Sequence, residues 1–276
     1  MKRQAQIECS RLICEIAGGT YAEPTKTTLQ GFLEEWLEHI KTQVTPKTFE
    51  RYAEIARNNI GPLLGSVILS KLKPEQISSA YAKALTHGRC GGGGLVPRSV
   101  HHMHRILRQA LQQAVVWNAL PRAPASSVKP PKIDAKPIAT LSAVQSAELL
   151  ERIRHSRVYW PSLIALATGM RRGEILALRW KNVDLERTVL HVVESLEQTK
   201  AGIRFKPPKN GRTRAVTLPD FAVSELRRLK REQAEELLKQ SDDTLVCGRA
   251  DGAPHRALSP LQSCNRDDAG GRGQAG

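Results

Sequence analysis

The chain has 276 residues, 40% hydrophobic, 25% charged and only 4% aromatic, a balance that excludes wholesale disorder and predicts folded units with aliphatic cores. Its length favours two compact units over one. Lysine and arginine number 42 against 27 aspartates and glutamates, a net charge of +15; with no run long and apolar enough to span a bilayer, the excess points to nucleic acid as the polyanionic partner.

Residues Gln4 to Ala17 fit one helix, with Ile7, Leu12, Ile13 and Ile16 as a rough apolar stripe ended by Gly18 and Gly19. The polar start Met1-Lys2-Arg3-Gln4 is not a signal core. Five cysteines, Cys9, Cys14, Cys90, Cys247 and Cys264, are scattered without C-x-x-C pairing or zinc-ligand spacing. The expectation is a cytoplasmic protein with no membrane, metal or cofactor.

From Thr28 onward, Leu29, Phe32, Leu33, Trp36, Leu37 and Ile40 recur at spacings of three and four and predict an amphipathic helix. Thr45-Pro46 supplies a cap and a proline at the first helical position for a second helix through Phe49, Tyr52, Ile55 and Ala56, which Gly61-Pro62 and Gly65 should break. Lys73-Pro74 opens a third, with Ile77, Ala80, Tyr81, Ala84 and Leu85 on one face, closed by Gly88 and the glycines at 91–94. Ser99 begins a fourth, lined by Val100, Met103, Leu107, Ala110, Leu111, Ala114 and Val115. The string Leu95-Val-Pro-Arg-Ser99 has the look of a protease linker but runs straight into that stripe, so it reads as native. Four helices with short connections make a helical domain over 26–120.

Pro121, Pro124, Pro130, Pro131 and Pro137 predict an extended linker over 121–138. Helical patterns follow at Leu141 to Ile153, Pro161 to Thr168 and Gly173 to Trp180. Then Thr188 to Val193, Ile203 to Lys206 and Arg214 to Leu218 are short and β-branched or alternating, separated by turn signals at 200–202 and 210–211, and predict a small antiparallel sheet. Pro219 to Gln240 is a last amphipathic helix carrying Val223, Leu226, Leu229, Leu237 and Leu238. Beyond Pro260 no period remains, and a disordered tail is expected over 261–276. The fold class is mainly α: a helical domain, then an α+β domain with a small antiparallel sheet.

The chemically informative string is Ala167-Thr-Gly-Met-Arg-Arg-Gly-Glu-Ile-Leu-Ala-Leu-Arg-Trp180. A helix ends near Thr168, Gly169 permits a tight turn, and Arg171 projects from the start of the next helix, where the dipole favours an anion. A phosphate bound by the arginine fork and free backbone amides would resolve that conflict, with Glu174 capping the helix or steadying Arg171. From the charges alone, two solvated surface arginines are the simpler account.

This string resembles the first signature box of tyrosine recombinases, the phage-type integrases: T-G-x-R-x-G-E followed by L-x-L-x-W. The resemblance implies that Arg171 is the first catalytic arginine, clamping the scissile phosphate and stabilising its transition state, with Glu174 as a supporting carboxylate. Phe205-Lys-Pro-Pro-Lys-Asn-Gly-Arg-Thr-Arg-Ala-Val-Thr-Leu-Pro219 resembles the family's hairpin, whose turn lysine acts as general acid towards the leaving 5′ oxygen. Lys209 is the first candidate for it and Lys206 the second. The stretches Phe32-Leu-Glu-Glu-Trp36, Thr48-Phe-Glu-Arg-Tyr52, Ile60-Gly-Pro-Leu-Leu-Gly65 and Leu72-Lys-Pro-Glu-Gln-Ile77 resemble the family's core-binding domain. That implies double-stranded DNA as partner, self-association on it, and phosphate contacts from Lys47, Arg51, Arg105 and Arg108, all off the apolar stripes. Residues 1–25 resemble a remnant of an arm-site-binding domain.

The likeness stops near Pro260. The family's second box, H-x-L-R, is absent; His255-Arg256 has a different spacing, and the tyrosines Tyr21, Tyr52, Tyr81 and Tyr159 all precede Arg171. The expectation is therefore a truncated catalytic domain over 139–260, with DNA binding kept and strand cleavage lost. The alternatives are a non-enzymatic DNA-binding protein that occupies recombination sites, or an unrelated basic helical regulator.

Overall fold

The computed structural model describes residues 3, 4, 6, 7, 9, 10, 13, 26–88, 92–134, 137, 139–236, 242–249 and 253. They fall in two compact units, Met1–Pro137 and Ile138–Gly276. Cys14, Cys90, Cys264, Leu237, Leu238, His255, Arg256 and the tail expected at 261–276 lie outside the described residues. Within Gln4 to Ala17 the described positions are helical, and Ile7 and Ile13 are exposed.

The first unit is a helical bundle. Helix α1, Leu29–Ile40, buries all six residues of its apolar stripe, and Thr28 caps it by accepting the Gly31 N–H at 3.2 Å. Its first two N–H groups, at Leu29 and Gln30, donate to the carbonyls of Val67 and Gly65 at 2.8 and 3.0 Å. Helix α2, Pro46–Ile55, starts at the expected threonine cap. The expected break at Gly61-Pro62 does not occur. The chain passes through a π-turn, Ala56–Ile60, into helix α3, Gly61–Leu64, with the Gly61 N–H bonded to the Ala56 carbonyl five residues back. The wider turn puts Pro62 in the first turn of α3, where a missing N–H costs nothing. A Cβ at Gly61 would lie 2.5 Å from Gln30 Oε1, so a side chain here would require Gln30 to turn away.

Helix α4 spans Pro74–His87 and helix α5 Pro97–Val116, two residues longer at its start than the sequence suggested because Pro97 occupies the first turn. The core is aliphatic around Trp36, Ile77, Met103, Leu107 and Leu111. Part of the proline-rich segment is not an extended linker: Pro124–Ser127 forms a 3₁₀ turn, and Ala125 and Val128 are buried in the helical core. His101 Nε2 donates to the Pro131 carbonyl at 2.6 Å, tying the segment to α5.

The second unit is mixed. Helix α6, Ala143–Arg152, opens on a Ser142/Gln145 capping box; α7, Tyr159–Thr168, and α8, Arg172–Leu176, follow. Strands β1, Val183–Asp184, β2, Val189–Val192, and β5, Arg214–Thr217, form one antiparallel sheet in the order β1-β2-β5. Strands β3, Ser195–Thr199, and β4, Gly202–Lys206, form a separate hairpin. Where one sheet was expected there are two, because Pro207-Pro208 end β4 and the chain returns beside β2, pairing Arg214 with Val192 and Val216 with Leu190. Helix α9 spans Asp220–Glu236. Segment 244–247 docks on the unit through Val246, whose N–H bonds the Leu178 carbonyl at 2.8 Å. Among the described residues no helix is long and apolar enough to cross a membrane.

Candidate functional site

The turn between α7 and α8 is built by its sequence. Gly169 adopts φ 63°, the left-handed conformation that closes a helix without a Cβ penalty, and its N–H bonds the Ala165 carbonyl at 2.9 Å. Met170 buries its side chain and so fixes the connection in the core. Arg171 then caps α8 with extended backbone, its N–H donating to Glu174 Oε2 at 3.0 Å. A Cβ on Gly173 would stand 2.6 Å from Ser195 Oγ and 2.7 Å from the Leu196 carbonyl, so only glycine lets α8 approach β3 this closely. These constraints turn Glu174 inward and Arg171 outward.

Glu174 is buried, its side chain 1% exposed, and every acceptor position is used. Arg214 donates twice, Nη1 to Oε1 at 3.0 Å and Nη2 to Oε2 at 2.6 Å; Arg171 adds Nη1 to Oε1 at 3.1 Å. The Arg214 guanidinium, with help from the Arg171 amide and guanidinium, holds the Glu174 carboxyl down to about 2 against the opposing cost of burial. The same pairing raises Arg214. The Arg171 side chain is 62% exposed and Arg214 39%. The other N–H groups of Arg171 have no partner among the described residues, so a fixed guanidinium faces outward at a helix N-terminus.

Arg214 is the residue that sequence reasoning missed. The available signal is strand alternation: Arg214 shares a face of β5 with Val216, which packs on the core, and an arginine on that face needs a carboxylate.

The two candidate lysines separate clearly. Lys206 is paired with Glu197 across the hairpin, alongside Arg204, whose Nε donates to Glu197 Oε2 at 2.8 Å. The turn of that hairpin is Lys200-Ala201, at the turn signal read over 200–202, whereas the hairpin expected over 205–219 does not form, since β4 pairs with β3 and β5 with β2. Lys209 lies instead in the connection from β4 to β5, in a turn closed by the Gly211 N–H on the Pro208 carbonyl at 2.7 Å. It is exposed, without a hydrogen bond or ion pair among the described residues.

In the helical unit, Lys47 and Arg51 lie one turn apart on α2 and pair with Glu50 and Glu54 at 3.1 and 3.0 Å. On α5, Arg105 Nη2 donates to His102 Nδ1 at 2.8 Å, and Arg108 lies one turn further on with no such bond among the described residues. Burial first, then the charges of Arg105, Arg51 and Arg98, push the His102 imidazolium below its ordinary value. Arg105 is thus bonded to His102, and Arg51 and Arg98 act on it through their charge; the four-and-three spacing of Arg98, His102 and Arg105 was the overlooked signal. Among the described residues no cluster of His, Cys, Asp and Glu is placed to hold a metal.

Residues 28–85 match the model of the phage integrase N-terminal SAM-like domain and residues 141–264 that of the phage integrase family. An integrase of Saccharopolyspora erythraea is 26% identical over 173 residues, 60% of this chain and 38% of the relative. A tyrosine recombinase XerC-like protein of Caldanaerobacter subterraneus subsp. tengcongensis is 25% identical over 257 residues, 86% of this chain and 64% of the relative. The chain therefore spans less than two thirds of the length of either. In fold it is similar to the Tn1549 transposon integrase solved in complex with circular intermediate DNA, with a TM-score of 0.67 at 19% identity over 83% of this chain and 73% of that one.

Proposed function

We propose, from the premise that the chain belongs to the tyrosine recombinase (phage integrase) family, that it binds double-stranded DNA at a recombination site, in the cytoplasm, and does not cut it unaided. The observation that carries this is the outward-facing Arg171, anchored from below by a buried carboxylate that Arg214 helps to saturate. A guanidinium fixed in this way loses little freedom when it takes a phosphate, and its fork meets two phosphate oxygens at once. Lys209, an exposed ammonium on a turn with no ion pair among the described residues, supplies a second charge and in a complete site the proton for a leaving 5′ oxygen. Lys47, Arg51, Arg105 and Arg108 bind flanking phosphates, and self-association on DNA belongs to the same reading.

Cleavage needs a nucleophile free to attack. The sequence holds four tyrosines, and Tyr21 lies outside the described residues. Tyr159 donates its hydroxyl to Glu225 at 3.1 Å, Tyr81 is buried with its hydroxyl against His104, and Tyr52 stacks on Trp36. Tyr159, the tyrosine of the unit that carries Arg171, is engaged by Glu225, which supports the reading that these 276 residues hold DNA without forming a covalent link.

Two measurements test this. Arg171→Ala should weaken binding of a mixed-sequence duplex by roughly tenfold, about 1.4 kcal/mol, at low salt; unchanged affinity at every salt concentration would remove Arg171 from the interface. Incubation with a nicked suicide duplex should give no protein–DNA adduct in denaturing electrophoresis, and a stable adduct overturns the claim that the chain does not cut.

A further inference from the structure

We infer that Arg51, Arg98, His102 and Arg105 form a phosphate seat in the helical unit, and that His102 takes up a proton when DNA occupies it. The inference rests on the DNA-binding reading above and adds to it a site and a linkage.

The contact between Arg105 and His102 fixes a protonation state. A guanidinium has only donors, so His102 Nδ1, 2.8 Å from Arg105 Nη2, must be the acceptor. The ring is then neutral, with its proton on Nε2. The surroundings account for that choice. Arg98, His101 and Arg105 act on the ring from its own helix and Arg51 acts from α2, all of them positive or potentially so. Arg51 is itself bonded to Glu54, and Glu50 on the same helix to Lys47. His101 points its Nε2 at the Pro131 carbonyl, and on the α4 side Tyr81 engages His104 instead. One arginine bonded to a half-buried imidazole, two more whose positive charge acts on it, and no carboxylate bonded to it among the described residues make an arrangement suited to an anion.

A backbone phosphate changes both sides of this arrangement. Its negative charge removes the repulsion that keeps the ring neutral, and a proton from solvent adds to Nδ1. A protonated Nδ1 no longer accepts from Arg105, so that N–H is released and turns to the phosphate, while the imidazolium becomes a second donor beside it. The sign follows. His102 has a higher proton affinity in the complex than in the free protein, so DNA affinity rises as pH falls through the histidine range and is lost again as pH rises.

The test compares the full-length wild type, His102→Gln and His87→Gln in titrations of a mixed-sequence DNA duplex at pH 6 and pH 8 and constant ionic strength. Glutamine keeps a neutral acceptor for Arg105 but cannot be protonated; His87, at the exposed end of α4, is the control. Wild type and His87→Gln should bind more tightly at pH 6, by up to about tenfold per pH unit. His102→Gln should lose most of that gain while keeping salt-dependent binding. Calorimetry in two buffers of different ionisation heat should show close to one proton taken up per binding event, absent in His102→Gln. Equal pH slopes and equal proton uptake in wild type and His102→Gln, with both binding, overturn the seat and leave the DNA reading standing. Absence of salt-dependent binding in all three overturns both.

Discussion

Both oxygens of the buried Glu174 carboxylate are taken by arginines, and the two arginines do different work there. Arg214 makes two bonds and is the less exposed; Arg171 makes one side-chain bond and is mostly in solvent. Removing Arg214 leaves a buried charge half-compensated, so Arg214→Ala should cost about 3 kcal/mol in urea unfolding of the full chain. Arg171→Ala should cost less than about 1 kcal/mol and show its effect in DNA binding instead. Equal losses of stability would mean that Arg171, too, serves mainly to hold the fold. The depressed Glu174 carboxyl adds a pH dependence. Its stabilising contribution is complete above the ordinary value of 4.5 and falls as pH drops towards about 2. The span corresponds to about 3 kcal/mol at most, and Glu174→Gln should abolish this part of the acid decline. The motif made Arg171 and Glu174 legible because local chain geometry sets both. Arg214 was not, because it reaches Glu174 only through the pairing of β5 with β2, forty residues on, and no local pattern reports which strands pair.

The elements divide in the same way. Helices α1, α4 and α5 are written plainly, since each buries a continuous stripe and starts at a threonine cap or a proline. The π-turn before Gly61-Pro62 was illegible, because glycine and proline together signal a break, whereas the widened turn lets the helix continue with Pro62 in a first turn. Lys209 was readable as a turn residue, but its place between two sheets instead of at a hairpin tip depends on Pro207-Pro208 leaving one sheet edge. The turn that carries Arg171 makes the sharpest prediction at this scale. Gly169→Ala has open space around its Cβ but must hold φ 63°, and should cost about 1 kcal/mol without changing DNA affinity. Gly173→Ala meets the Leu196 carbonyl, a backbone atom that cannot rotate away, and should cost about 2 kcal/mol while displacing α8. Thermal melting with duplex titration separates them: only Gly173→Ala should lose both stability and binding, and a Gly169→Ala variant that bound DNA as poorly would mean that the turn itself touches the ligand.

For the molecule as a whole, the net charge of +15 announces a polyanion but not where it is held, since many of the described arginines are paired with carboxylates. Pairing decides how much each contributes. Lys47 and Arg51 must give up their contacts with Glu50 and Glu54 before meeting a phosphate, whereas Arg108 and Lys209 have no such bond among the described residues. Exposed pairs are worth only a few tenths of a kcal/mol, so all four still release counterions, but the unpaired two should do so at full strength. If Lys47, Arg51, Arg105, Arg108, Arg171 and Lys209 all meet phosphates, the logarithm of the binding constant should fall against the logarithm of salt concentration with a slope of about −5. Arg108→Ala and Lys209→Ala should each reduce that slope by about 0.9 and weaken binding equally for every sequence tested, as expected of backbone contacts. Lys47→Ala should reduce the slope similarly but lose less affinity, because in the wild type the gain from the phosphate contact is offset by the lost pairing with Glu50. A slope near −2 that survives Arg108→Ala and Lys47→Ala but falls with Lys209→Ala would place the DNA away from the helical unit and confine it to Arg171 and Lys209.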